Sequence, residues 1–204
     1  MRTTETQTEY HSGNANLSFT PRLPEDHSLN VMAGWNIEHK RARNTRMGRD
    51  GFIVDGKPNY SLMNGIDYVL EDANSYDWGF VGIFYRASYA YKGKYLAELS
   101  GRYDGSSKFP SNERWGFFPS ASVGWRMSEE KFMKDISWIN NIKWRFSIGK
   151  AGNGNVSPYK YMELLDFNKA GVIVDGSQRT YTSAPSSVLP ANLTWETSST
   201  TNLG

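Results

Sequence analysis

Strict alternation of apolar and polar residues runs through most of this chain and limits its fold more than any other feature. Successive side chains on a strand point to opposite faces, so alternation marks strands whose two faces meet different media. Between residues 95 and 104, Tyr95, Ala97, Leu99, Gly101 and Tyr103 share one face, while Leu96, Glu98, Ser100, Arg102 and Asp104 share the other. Residues 117 to 127 repeat this, with Phe117, Pro119, Ala121, Val123, Trp125 and Met127 opposite Phe118, Ser120, Ser122, Gly124 and Arg126. Residues 142 to 150 set Ile142, Trp144, Phe146 and Ile148 against Lys143, Arg145, Ser147 and Gly149. The same reading holds at 28 to 38 and 79 to 91, and more weakly at 9 to 20 and 193 to 203. An all-β fold of about seven antiparallel strands is predicted.

Most of these stretches run about 9–13 residues, whereas soluble strands cluster near 5–6 and a tilted membrane strand needs roughly 9–11. Their connections differ in length. Lys92-Gly93-Lys94 is a tight hairpin that pairs Tyr91 with Tyr95, and its glycine suits a positive φ. The connections at 38–79, 104–117 and 150–193 are longer and rich in Gly, Asn, Asp, Ser and Tyr. Short turns at one rim and long ones at the other are the signature of an outer-membrane barrel. On the short-turn side, residues 128 to 141 predict a helix of one to two turns, with Ser128 as N-cap and Glu129 and Glu130 in its first turn.

Aromatic spacing agrees with a spanning sheet. Tyr95 and Tyr103 are eight residues apart, as are Phe117 and Trp125; at about 3.3 Å per residue and about 40° tilt this covers roughly 20 Å of membrane. Tyr89, Tyr91, Tyr95, Trp125 and Trp144 are predicted to form one girdle, and Trp35, Tyr103 and Phe117 the other. Hydrophobic residues are only 38% of the chain but aromatics reach 14%, which argues against disorder. No apolar run is long enough for a membrane helix.

Composition also excludes several chemistries. With 23 Lys+Arg against 21 Asp+Glu, the charge of +2 leaves no basic excess for a nucleic-acid partner. The absence of cysteine removes thiolate metal sites, disulfides and catalytic Cys–His pairs. His11, His27 and His39 have no ligand-like spacing, so neither a catalytic nor a metal centre is expected, and no cofactor. GKAGNGN at 149 to 155 lacks the GK[ST] ending of a phosphate cradle and reads as turn chemistry. The acidic stretch from Glu71 to Asp77 offers oxygen ligands without the glycine and bidentate Glu of a calcium loop, so a solvated loop is expected there.

The strings YLAELSGRYDGSSKF, RWGFFPSASVGWRMSEEKFMKD and IKWRFSIGKAGNGN, with SPYKY after them, resemble the barrel of the SusC/RagA-type TonB-dependent transporters of the Bacteroidota outer membrane. VLPANLTWETSSTTNLG and HSLNVMAGWNIE resemble further strands of the same family. The resemblance implies a large plugged barrel in the outer membrane, not an enzyme. It would be energised through TonB and import glycans or peptides beneath a SusD-like lipoprotein lid. The whole chain, 1–204, then reads as part of the barrel domain. The polar opening MRTTETQTEY carries no secretory signal, and the chain stops within a strand, so a piece of a longer protein is expected, without plug, signal peptide or closing strands. The helix at 128–141 would sit in a periplasmic turn.

Glu98, Arg102, Asp104, Ser120, Arg126, Lys143 and Arg145 are the candidates for the lumen or plug side, since a lipid-facing Arg costs roughly 2–4 kcal/mol at midplane. Tyr60, Tyr76, Trp78, Trp115, Tyr159 and Tyr161 are expected in loops, where they would stack on cargo or meet the lid. Two other readings remain open from the residues: a soluble carbohydrate-binding β-sandwich, and a TonB-dependent receptor for siderophores.

Overall fold

The computed structural model describes residues 2–50, 67–133, 138–162, 166–174, 177–183 and 192–204. Seven strands form one antiparallel sheet: β1 (Arg2–Phe19), β2 (His27–Asp50), β3 (Asp67–Tyr91), β4 (Tyr95–Ser106), β5 (Trp115–Arg126), β6 (Lys143–Asn153) and β9 (Glu196–Leu203), paired in that order. Each strand pairs with the next along the chain, except that β7 (Asp166–Val174) and β8 (Ser177–Ser183) form a separate hairpin between β6 and β9. The seven alternating stretches are the seven strands of the sheet, and no second sheet covers its apolar face among the described residues.

Register turns the aromatic spacing into geometry. Direct pairings align His27, Tyr91, Tyr95, Trp125 and Trp144 in one row across β2 to β6. A second row, eight residues up the strands, holds Trp35, Ile83, Tyr103 and Phe117 across β2 to β5. Between the rows the outer face carries Val31, Leu99, Val123, Phe146 and Ile148, all exposed. A soluble protein hides such a face, whereas a bilayer supplies the apolar partner itself.

Three expectations are corrected. β2 and β3 run on to Asp50 and from Asp67, so most of the supposed 38–79 connection is ladder. Above Ile37 and Val81 the outer face of these strands turns polar, with His39, Arg41 and Arg43 of β2 and Ser75 and Asp77 of β3, so the alternation that revealed them fades while the hydrogen bonding continues. The acidic stretch Glu71 to Asp77 therefore lies in β3 instead of a loop.

The second correction is the helix. Residues 127–133 form two 3-10 turns, Met127–Glu129 and Lys131–Met133, and Ser128 caps neither. Residues 134–137 of the expected helix lie outside the described residues. The cause is visible at Glu130. Its carboxylate accepts hydrogen bonds from Tyr95 Oη at 2.7 Å, Lys94 Nζ at 3.1 Å and Trp125 Nε1 at 3.3 Å. The Ser128 N–H meanwhile donates to Ile142 O at 3.2 Å. These ties fold the segment flat against the girdle row, which a continuous α-helix would not allow. The third correction is the β7–β8 hairpin, which the sequence reading placed within a loop.

The three donors hold the Glu130 carboxyl below the usual carboxylate range, the Tyr95 hydroxyl most of all, against a smaller opposing effect of burial. A carboxylate depressed on folding contributes stability that is complete above its unfolded value of about 4.3 and is lost as pH falls through the folded one. Acidification below about 4.3 should therefore loosen this turn, read as a change in Trp125 fluorescence, and Glu130→Gln should abolish that acid-dependent change. An unchanged acid response in the variant would assign the titration elsewhere.

The tight hairpin at 92–94 forms as expected. Lys92 and Gly93 both take positive φ, 51° and 65°, and the Tyr91 and Tyr95 rings stack 6.3 Å apart. Lys92 also pairs with Asp26 at 3.5 Å, tying this turn to the β1–β2 turn beside it.

Candidate functional site: the polar face and its upper rim

The polar face carries the seven lumen candidates, and the structure separates them into two groups. Near the short-turn rim, Glu98, Lys143 and Arg145 line a concavity of about 780 Å³ with Ser88, Ser122 and Asn202. Glu98 accepts a hydrogen bond from Ser88 Oγ at 2.9 Å and lies 3.7 Å from Arg86. Arg126 sits at the end of β5 with an exposed side chain, its backbone N–H bound to Lys94 O.

Higher on the same face, Arg102 grips Asp104 through two bonds, Nε to Oδ2 at 3.1 Å and Nη2 to Oδ1 at 3.0 Å, and reaches Asn36 Oδ1 at 3.1 Å. Asp104 is buried, whereas Arg102 keeps 43% of its side chain exposed. The space for this network comes from Gly82, where a Cβ would strike Asn36, Asp104 and Arg102 side chains together. Two carboxylate oxygens bound to one planar fork give a fixed orientation that a single ion pair would not. Ser120 stands opposite Ser100 and Gly149, beside this network.

The loop candidates divide differently. Tyr76 and Trp78 are strand residues of β3, opposite Ala42 and Lys40 of β2. Trp115 opens β5 on the outer face and stacks on Tyr103 with centroids 5.0 Å apart and rings 8° from parallel. It therefore belongs with the upper girdle and not with the 104–117 connection in which it is expected from the sequence. Tyr159 does lie in a loop, at φ 62°, a costly conformation for an aromatic residue. Its hydroxyl donates to Asp77 Oδ1 at 2.7 Å and accepts from the Asp77 N–H at 3.1 Å, which holds the loop against β3. Tyr161 is two residues on and half-buried, and Tyr60 lies outside the described residues.

Two features of this rim were missed. The first is an apolar cluster on the otherwise polar face, where Phe109, Phe118 and Trp195 are buried and Phe80, Val156 and Leu193 pack around them. Phe109 is fully enclosed, 4.9 Å from Trp195 centroid to centroid, and Trp195 Nε1 donates to Arg114 O at 3.1 Å. The signal was available, because Phe80 and Phe118 both fall on the polar parity of their strands. The second is a pair of lysines. Lys108 Nζ sits 4.3 Å from the Trp78 ring centre and Lys40 Nζ 6.0 Å from that of Tyr76. Among the described residues no cluster of three or more metal-ligating side chains occurs.

Comparison with known proteins places this geometry. Residues 2–204 match the family described as TonB dependent receptor-like, beta-barrel. TonB-dependent receptor P3 of Formosa agariphila is 31% identical over 178 residues, 87% of this chain and 18% of that protein. TonB-dependent receptor SusC of Bacteroides thetaiotaomicron is 33% identical over 125 residues, 61% of this chain and 12% of that protein. The RagAB peptide importer in its closed-closed state superposes with a TM-score of 0.83 at 21% identity, over 99% of this chain and 22% of the other. This chain thus spans about a fifth of the length of the proteins it matches. A seven-stranded sheet with one lipid-type face, one polar face and two aromatic rows is a sector of a large barrel, and the chain belongs to the TonB-dependent receptor β-barrel family, of the SusC/RagA type.

Proposed function

We propose that this chain is a sector of the wall of an outer-membrane transporter that draws oligosaccharides or peptides into the periplasm, driven by TonB and closed from outside by a SusD-like surface lipoprotein. The observation that carries the reading is the two-faced sheet: an exposed apolar band between aromatic rows outside, and a charged, hydrogen-bonded face inside. A wall of this kind fits a pore and gives no support to catalysis.

The roles follow from position. Glu98, Lys143 and Arg145 present charge to a plug, with Arg126 at its lower edge. Arg102, held by Asp104 and Asn36, offers its remaining N–H groups to the plug or to passing cargo, beside Ser120. Tyr76, Trp78, Tyr159 and Tyr161, at the upper rim, meet cargo or lid. The RagAB relatives are described as a peptide importer and a peptide transporter, which supports the peptide branch, and the glycan branch rests on the strings that resemble the SusC/RagA type. The same strings favour both branches over siderophores.

The test uses cells carrying the full-length receptor with its lipoprotein. Uptake of a labelled oligosaccharide or peptide mixture should fall to background when TonB is deleted. Uptake that persists without TonB would reject the transport mechanism.

A further inference from the structure

The two lysines at the upper rim form the strongest feature left without a role. Lys40 and Trp78 are directly opposed across β2 and β3, and Tyr10 opposes Lys40 from β1, so the three share one row of the polar face. Lys108 enters this row from the β4–β5 connection and lies over the Trp78 ring. Among the described residues no carboxylate comes within ion-pair distance of Lys40 or Lys108. The nearby Glu38 carboxylate accepts a hydrogen bond from the Tyr10 hydroxyl at 3.0 Å and makes no ion pair with either lysine.

Lys108 is also fixed in place. Ser107 on one side exchanges two bonds with Gly79, its N–H donating to Gly79 O and its Oγ accepting from the Gly79 N–H, both at 2.9 Å. On the other side Phe109 is fully buried in the apolar cluster. The backbone at Lys108 is thus anchored on both sides and its side chain lies over the Trp78 ring, so holding a ligand costs it less entropy than it would cost a lysine on a free loop. Burial, and then the charge of Lys40, push the Lys108 ammonium below its usual range, with Glu38 opposing. Lys40 and Lys108 are half-buried, both border Trp78 and have no ion-pair partner among the described residues, so an anion there would relieve the repulsion between them.

We propose that this row is a recognition site for an anionic group on the cargo, a carboxylate or sulfate held between Lys40 and Lys108, with an adjoining sugar ring or side chain against the exposed Tyr10. The inference rests on the transporter reading and narrows its cargo to acidic molecules. An acidic glycan and an acidic peptide present the same carboxylate chemistry, so both are tested.

The purified full-length receptor is titrated calorimetrically with trigalacturonate and with hexaglutamate, against neutral maltotriose and hexaglutamine. At least one acidic probe should bind more tightly than its neutral counterpart, and more weakly in high salt. Which of the two it is identifies the source. Lys40→Gln with Lys108→Gln should weaken that probe about tenfold or more, as expected for losing charge-assisted hydrogen bonds, and Lys108→Arg should restore most of the loss in Lys108→Gln. Heat-modifiable migration of each variant shows that its barrel has assembled. Absence of acidic binding, equal affinity for acidic and neutral probes, or an assembled double variant of unchanged affinity would overturn the site. TonB-dependent uptake of neutral cargo by the same receptor would then leave the transporter reading standing, whereas loss of all TonB-dependent uptake would remove both.

Discussion

Leu99→Arg should block assembly of the full-length barrel, while Ser122→Arg leaves it intact. Leu99 lies four residues from Tyr95 and four from Tyr103, midway between the two aromatic rows, and is 52% exposed on the apolar face. An arginine there meets hydrocarbon at about 2–4 kcal/mol. Ser122 faces the opposite way, into the concavity and directly opposed to Glu98, which would accept the new charge. Val123 is only one outward position in from the Trp125 row, so Val123→Arg should fall between them, since the cost declines to about 0–1 kcal/mol at the interface. The readout is the fraction of heat-modifiable barrel in the outer membrane. Equal yields from all three variants would reject the assignment of faces.

Phe109→Ala should release the β4–β5 connection without unfolding the sheet. Removing a fully buried phenylalanine costs about 3–5 kcal/mol. Here the loss falls on a cluster that joins the connection to Phe118 of β5 and to Trp195, while the ladders beneath keep their hydrogen bonds. A cost of that size raises local opening by a hundredfold or more, because about 1.4 kcal/mol corresponds to a factor of ten. Limited proteolysis within residues 107–114 should accelerate accordingly, with the barrel still heat-modifiable. Any affinity that depends on Lys108 should fall with it, since Phe109 is one of its two anchors. Cleavage at the wild-type rate would show that Ser107 alone holds the connection.

The parts of the fold legible in the sequence were those where the two faces of a strand meet different media. Tyr95 to Tyr103 and Phe117 to Trp125 alternate because lipid and lumen impose opposite demands, and β4, β5 and β6 were found within a few residues of their ends. That signal vanishes where both faces are wet. Arg41 and Asp77 are paired residues of β2 and β3, yet composition alone reads their surroundings as loop. Tyr76 and Trp78 were misplaced for that reason. The flattened 127–133 segment was illegible for another, since the partners that draw Glu130 down come from other strands. Arg102 and Asp104 share a face by parity, whereas the bond from Arg102 to Asn36 depends on the β2–β3–β4 register. Lys108 was invisible because its position depends on the contact between Ser107 and Gly79, far apart in the chain.

The continuation of β2 and β3 above the upper aromatic row bears on how such a protein can change over generations. Below that row each residue is bound to one face, and a single insertion would send arginines into lipid. Above it the demand of the membrane is absent, and beyond the Lys40–Trp78 row and the Arg41–Asp77 pair, from Arg43 to Asp50, the ladder is what must persist. Gaining or losing one residue from each strand there alters the height of the wall by about 3 Å and leaves the membrane register untouched. A lineage can therefore raise, lower or recolour its outer rim in small steps, each compatible with a working barrel, while the band below stays nearly fixed.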